Sequence, residues 1–149
     1  MTEEAPSFDR SILGKEFPSG RLDVTEDLAR RYRRAIGQSV SEETDAEEAR
    51  REGIRGARVP ATVVNLMIHN LDRPDVEAAL AGGGLHGSQS LEIIAPICVG
   101  DTLDVRSVLE DVYTKTGRSG TMTFVVWENR FVNQDGETVV RMRESFMYR

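Results

Sequence analysis

The chain has 149 residues, 19 basic and 25 acidic side chains, a formal charge of −6 and 39% hydrophobic residues, the profile of one ordinary soluble globular domain with a single core. The acidic balance excludes a nucleic-acid platform, which needs excess Lys and Arg on one face. One cysteine, Cys98, beside only His69 and His86, excludes an intrachain disulfide framework and leaves too few ligands for a zinc site of the usual kind.

No span approaches the roughly 18 uncharged apolar residues of a membrane helix. Met1 to Pro6 lacks the basic start and apolar run of a secretory signal. The expectation is a cytoplasmic protein with no metal, no cofactor, and neither nucleic acid nor membrane as partner.

An extended stretch is expected around Ile12 to Phe17. Asp23-Val24-Thr25-Glu26 then carries a helix-start signal, a capping oxygen with an acid close behind. In the helix that follows, Leu28, Tyr32, Ala35 and Ile36 form one apolar stripe, and Arg30, Arg31, Arg33 and Arg34 take the other faces. Gly37 is the natural stop. An arginine cluster of this kind can hold a phosphate, but cations near a helix C-terminus also complement its dipole while staying solvated, and that reading is preferred.

Ser41 to Arg55 is rich in charge, has almost no apolar periodicity, and reads as a surface segment. Pro60 opens a second helix, where Ala61, Val63, Val64, Met67, Ile68 and Leu71 cover most of the circumference, so this helix is buried. It ends before Pro74, and a short helical turn, Val76 to Leu80, leads to Gly82-Gly83-Gly84. These glycines with His86 and Gly87 satisfy the spacing of a dinucleotide loop. They follow a helix and precede a strand, the reverse of the required order, and so form a turn.

From Leu85 onward the period changes to two. Four strands are expected, at about Leu85 to Ile97, Thr102 to Tyr113, Thr121 to Val132 and Glu137 to Tyr148. The short connections between them make antiparallel neighbours. Their inner face needs an apolar cover, and the helix from Pro60 is the only candidate. The predicted class is α+β, one domain over residues 1–149, with a long antiparallel sheet wrapped around a central helix.

Several strings resemble one family: Leu85-His86-Gly87-Ser88-Gln89, Pro96-Ile97-Cys98-Val99-Gly100-Asp101-Thr102-Leu103, Gly117-Arg118-Ser119-Gly120-Thr121-Met122-Thr123 and Asp135-Gly136. In this order they are similar to the N-terminal subfamily of the MaoC-like acyl dehydratases, also called (R)-specific enoyl-CoA hydratases. The resemblance implies a hotdog fold and reversible hydration of an enoyl thioester of coenzyme A or acyl carrier protein. That reaction needs a base for water, an acid for the α-carbon, and donors for enolate charge on the thioester oxygen.

Catalytic relatives carry a Gly-Asp-x-Asn-Pro-x-His motif after the first helix. Here its place aligns with Gly37-Gln38-Ser39-Val40-Ser41-Glu42-Glu43, so Gln38 stands for the aspartate and Glu43 for the histidine. A carboxamide accepts no proton at neutral pH, and Glu43, among Glu42, Asp45, Glu47 and Glu48, sits on a wet surface. The expectation is the substrate-binding half of a hydratase or dehydratase, working with a catalytic hotdog partner. Its alternatives are a homo-oligomeric hotdog hydratase or thioesterase with a displaced acid/base site, and a non-catalytic acyl-binding module.

Two histidines are candidates for displaced chemistry. His69 belongs to a polar stripe, Thr62, Asn65, His69 and Asp72, along the second helix, and reads first as solvent- or interface-facing. His86 opens a strand where the resemblance supplies a histidine without a catalytic task, and reads first as structural. Substrate binding is assigned to Pro60, Ala61, Thr62 and Asn65, because the amides at a buried helix start suit a thioester carbonyl.

Overall fold

In the computed structural model, residues 7–38, 42–76 and 84–149 are described. Five strands form one antiparallel sheet: β1 (Glu16–Asp23), β3 (Leu85–Ile93), β5 (Thr102–Gly117), β6 (Gly120–Val132) and β7 (Thr138–Tyr148), ordered β1-β5-β6-β7-β3. A two-stranded ladder joins β2 (Arg58–Val59) to β4 (Ile97–Cys98). Two α-helices, α1 (Glu26–Ala35) and α2 (Glu42–Glu52), precede a 3₁₀ helix over Ala61–Met67.

The expected central helix is present but shorter and tighter than its sequence pattern implies. Pro60 caps it from outside, and seven residues wind as 3₁₀, with the Val63 amide donating to the Pro60 carbonyl at 2.9 Å. Val63, Val64 and Met67 are buried against Leu22, Leu103, Phe131, Val140 and Met142 of the sheet. The reason for a short helix lies in β1, whose Ser19 carbonyl accepts the Asp72 amide at 2.8 Å, so the chain beyond the helix follows the strand instead of coiling on. Near the other end of the sheet, Val76, Leu109, Val112, Val125 and Trp127 form a smaller cluster.

Three other expectations are refined or corrected, and one lies outside the described residues. The N-terminal strand lies at Glu16–Asp23, after a 3₁₀ turn at Arg10–Ile12, because Leu13 meets β5 only as an isolated bridge to Leu109. The segment before Arg55 contains α2, a helix whose only described fully buried side chain is Ala49. In α1 the buried positions are Ala29 and Arg33, while Ile36 is 46% exposed. Arg33 goes inside because its guanidinium Nη2 donates to the Arg58 carbonyl. The turn expected at Val76 to Leu80 lies, past Val76, outside the described residues.

The expected strand from Leu85 to Ile97 is two elements. β3 pairs with β7, in register Leu91↔Met142 and Ile93↔Val140. The chain then turns, the amides of Ile94 and Ala95 both donating to the Val139 carbonyl at 2.9 and 3.1 Å. Pro96 offers no N–H to a ladder, and Ile97–Cys98 pairs with β2. β3 is therefore a neighbour of the last strand rather than of β5, and among the described residues it forms one free edge of the sheet.

The sheet's outward face carries cross-strand ion pairs, including Arg106–Glu16 at 3.0 Å, Arg141–Glu92 at 2.5 Å and Arg143–Glu110 at 2.5 Å. Along β7 the alternation is regular: Val140, Met142 and Glu144 are buried, and the arginines between them face out. Glu144 is the one acid in that inward row.

Candidate functional site

The slot aligned with the family's acid/base motif begins where α1 stops. Gly37 adopts φ +75°, a left-handed turn that glycine takes without steric cost, and the Gln38 amide returns to the Arg33 carbonyl at 2.8 Å. The Gln38 side chain is exposed. Residues 39–41 and the side chain of Glu43 lie outside the described residues, and the Glu43 backbone belongs to the first turn of α2.

Beside α1 lies a cavity of about 290 Å³ lined by Arg30, Arg33 and Arg55 among others. Each of these guanidiniums already has a protein acceptor: Asp27 for Arg30 at 2.5 Å, the Arg58 carbonyl for Arg33, and Asp101 for Arg55. Arg55 grips Asp101 with two bonds, at 2.5 and 2.7 Å, while the Cys98 amide and the Gln134 side chain also donate to it. Burial alone would push the Asp101 carboxyl up, but the Arg55, Cys98 and Gln134 hydrogen bonds together hold it below the ordinary carboxylate range. This pair ties the loop before β2 to the turn before β5.

The start of the 3₁₀ helix borders a different cavity, about 350 Å³ in volume, whose walls include Val59, Ala61, Ile94 and Ile97. Ile93 and Ile94, also on its rim, are 63% and 47% exposed. The Thr62 hydroxyl accepts from the Tyr32 hydroxyl at 2.8 Å. Asn65 places its Oδ1 out of solvent with no hydrogen-bond partner, an arrangement that costs roughly 1–3 kcal/mol when nothing fills it.

The polar stripe expected on this helix does not persist. Thr62 and Asn65 stand three residues apart on the 3₁₀ turn, but the helix ends at Met67, and His69 and Asp72 follow in the exposed connection. No hydrogen bond or ion pair links His69 with Asp72 among the described residues.

His86 is placed in richer chemistry. Its Nε2 lies 3.3 Å from Oε1 of Glu144, a fully buried carboxylate. Oε2 of Glu144 accepts from Arg73 Nη1 at 3.0 Å and from Asn129 Nδ2 at 2.7 Å. The Asn129 Oδ1 accepts from the Ser107 hydroxyl at 2.7 Å, and Ser107 meets the Ser19 hydroxyl at 2.6 Å. Ser107 gives its one proton to Asn129, so at the 2.6 Å contact it accepts from Ser19, whose hydroxyl also lies 3.3 Å from the Val105 carbonyl. The chain of donors thus runs one way, from β1 through β5 and β6 to the carboxylate on β7. Oε1, the remaining oxygen, is buried without an aligned hydrogen bond.

Arg73 is packed over two rings, 5.2 Å from the Trp127 centroid and 5.1 Å from that of Phe146. The sequence alone points to His86 but not to Glu144, Arg73, Asn129 or Ser107. The available signal is the inward phase of Glu144 on an alternating strand.

A family model described as "FAS1-like, dehydratase domain region" matches residues 11–142. A UPF0336 protein of Streptomyces coelicolor is 26% identical over 116 residues, covering 74% of this chain and 77% of the relative; one of Streptomyces griseus is 27% identical with the same coverage.

Among solved structures, the HadBC (3R-hydroxyacyl-ACP dehydratase) complex of Mycobacterium tuberculosis superposes with TM-score 0.68 at 22% identity, over 91% of this chain and 96% of that one. The R-hydratase PhaJ1 of Pseudomonas aeruginosa gives 0.67 at 18%, over 91% and 81%. The ChsH1–ChsH2 complex of Mycobacterium tuberculosis gives 0.65 at 16%, over 93% and 99%. These similarities show the fold that the sheet and its short central helix describe. The match over residues 11–142 shows the family: the chain belongs to the FAS1-like dehydratase-region family, with the hotdog fold of the MaoC-like dehydratases.

Proposed function

We propose that this chain is the substrate-binding half of an enoyl-thioester hydratase or dehydratase, acting on a coenzyme A or acyl-carrier thioester beside a hotdog partner that supplies the acid/base pair. The observation that carries this reading is Gln38. By resemblance it aligns with the motif's aspartate, and it presents an exposed carboxamide just beyond α1, a group that takes no proton at neutral pH.

Three features support the rest. The cavity beside Ala61 has apolar walls that suit an acyl chain. The buried, unpartnered Asn65 Oδ1 is an acceptor in want of a donor. Among the described residues β3 leaves its outer edge unpaired, with Leu85 and Ile93 on it exposed, and an edge of that kind is a template for a second strand. Two of the similar folds, HadBC and ChsH1–ChsH2, are complexes of unlike chains.

The amides of Ala61 and Thr62 are assigned to the thioester oxygen, Pro60 having none to give. The test follows loss of conjugated thioester absorbance from crotonyl-CoA. The chain alone is expected to be inactive, and activity is expected on co-expression with a neighbouring-gene hotdog that carries the intact Asp/His motif. Robust turnover by the chain alone, lost in His69→Ala, would overturn the assignment in favour of a displaced site.

A further inference from the structure

The hairpin that joins β5 to β6 outreaches the rest of the sheet. The last β6–β7 pair is Thr123↔Tyr148, yet β5 and β6 stay paired as far as Gly117↔Gly120, which leaves Arg118 and Ser119 alone at the turn. Gly120 takes φ +108°, and Arg149 Nη2 donates to the Ser119 carbonyl, so the turn is held in one shape. Its charge runs against that of the molecule. The chain carries −6, but from Val112 to Trp127 there is no acid, only Lys115 and Arg118.

Both cations are exposed, and each is available to an anion in its own way. Arg118 makes no hydrogen bond or ion pair among the described residues. Lys115 is steadied by aromatic faces: the Tyr113 and Phe124 rings stack with centroids 5.0 Å apart at 7°, and its ammonium stands 5.3 and 5.5 Å from them. Ring faces hold a cation without neutralising it. Two positive charges with no acid beside them draw anions to the tip.

Distance decides which anion this is. The rim of the cavity beside Ala61 is at Ile93, level with Val140 and Phe131. Twelve residues of β6 separate Phe131 from Ser119, about 40 Å at 3.4 Å per residue, so the tip does not serve the cavity of its own chain. A second copy changes this. Two copies that share a continuous sheet at the β3 edge, related by a two-fold axis, run antiparallel there, which sets the Ile93 end of one beside the Leu85 end of the other. Leu85 is level with Met147 and Phe124, five residues from Ser119. The tip then lies about 17 Å along the strands and three strand spacings, roughly 14 Å, across from the other copy's cavity, roughly 22 Å on the diagonal. Thirteen bonds join the sulfur of a pantetheine thioester to the first phosphorus of its carrier, about 16 Å at the 3.6 Å that three bonds of extended chain span. The length of the Arg118 side chain closes the rest.

We propose that Arg118, with Lys115 beside it, is a specificity-determining residue that acts across the subunit pair, binding the phosphate carried by a thioester seated in the other copy. The inference rests on the thioester-binding reading and on pairing at β3, and it adds how the carrier, rather than the acyl group, is recognised. Calorimetry on the full chain measures S-butyrylpantetheine, S-butyryl-4′-phosphopantetheine and butyryl-CoA; the first two differ only in the phosphate. The parent is expected to bind a phosphorylated ligand about fivefold more tightly than S-butyrylpantetheine, what a well-placed exposed charge pair supplies, with a margin that shrinks as salt is raised. A margin already present with the phosphopantetheine thioester assigns the contact to the phosphate shared with carrier proteins, and one seen only with butyryl-CoA assigns it to the nucleotide's phosphates. Arg118→Ala is expected to bring the affinities together. Leu85→Lys, at the edge and away from the cavity, is expected to reduce the mass to one subunit and abolish the margin although Arg118 is intact.

Equal affinities in the parent, or a margin that survives Arg118→Ala, would overturn the inference and leave thioester binding standing. A margin kept by Leu85→Lys at the mass of one subunit would put the contact within one chain, and a Leu85→Lys protein that stays paired would put the pairing off β3; either outcome overturns it, as does a parent that elutes as one subunit. Binding of none of the three ligands would sink the thioester reading together with the inference. Arg118 is exposed and Leu85 is 68% exposed, so both variants keep the core intact, and an unchanged melting temperature checks that they do.

Discussion

Arg73 and Glu144 form the least solvated ion pair in the described residues: Nη1 stands 3.0 Å from Oε2, and the two side chains are 14% and 0% exposed. Removing one partner leaves a charge inside with nothing to balance it. Such breaks typically cost about 3–5 kcal/mol, whereas replacing both partners by apolar residues of similar size is often close to neutral. Arg73→Ala is therefore expected to lower unfolding free energy by roughly 3 kcal/mol in urea titrations, and Arg73→Met with Glu144→Leu to recover most of it. A loss below about 1 kcal/mol in the single variant would show that water replaces the guanidinium freely.

A second pair, Arg55 and Asp101, links stability to pH. Asp101 is held below its unfolded value by hydrogen bonds that outweigh its burial. A carboxyl depressed in the folded state contributes fully above its unfolded pKa of about 3.9, and that contribution disappears as pH falls through the folded value. Asp101→Asn should cost about 2–4 kcal/mol at pH 7. The gap between the variant and the parent should be flat above about pH 5 and shrink from about pH 4 downward. A gap that widens with acid would contradict the hydrogen-bond account.

These pairs also show what was legible in the sequence. Strand positions followed from period two, because one side of each strand faces a core and slips of one residue are costly. The same rule explains why β7 could be placed to within a residue of its observed start. Which strands touch was less legible. The short connection at Val99-Gly100-Asp101 suggested that the strand from Leu85 neighbours β5, but the bend at Ile94–Pro96 sends it to β7. Helix content failed for a related reason: apolar spacing in Ala61 to Leu71 fits an α-helix, yet β1 captures the chain near Asp72.

The site divided likewise. The helix stop at Gly37, just before Gln38, was legible, and the structure has it as a glycine at φ +75°. Glu144 was not, since a lone inward acid on a strand declares nothing until Asn129, Arg73 and His86, from other parts of the chain, arrive around it.

Glycine offers a contrast between two kinds of constraint. A Cβ at Gly56 would stand 2.5 Å from the Val99 carbonyl oxygen, a backbone atom fixed in place because the Val99 amide donates to Ala57 at 2.8 Å. At Gly100 there is open space but φ is +94°. Gly56→Ala must displace the β2–β4 ladder and is expected to cost about 1–3 kcal/mol as an overpacking defect. Gly100→Ala should cost about 1 kcal/mol through backbone conformation alone. Thermal melts of both variants check the order, and a Gly56→Ala protein as stable as the parent would mean that the Gly56 segment shifts without penalty.

The last prediction concerns the free edge. Leu85 and Ile93 sit near the two ends of β3, 68% and 63% exposed, and neither contributes much to the core of its own subunit. On the proposed reading a second hotdog strand covers them, and charged side chains on an edge are how proteins prevent such pairing. The double variant Leu85→Lys/Ile93→Lys should keep the parent's melting temperature at dilute concentration, or raise it slightly, while its mass by light scattering falls to that of one subunit. The parent should elute as a pair, with itself or with a co-expressed partner. Retention of the paired mass in the double variant would place the contact on another surface, and a single-subunit mass for the parent under both conditions would remove the argument that β3 is an interface.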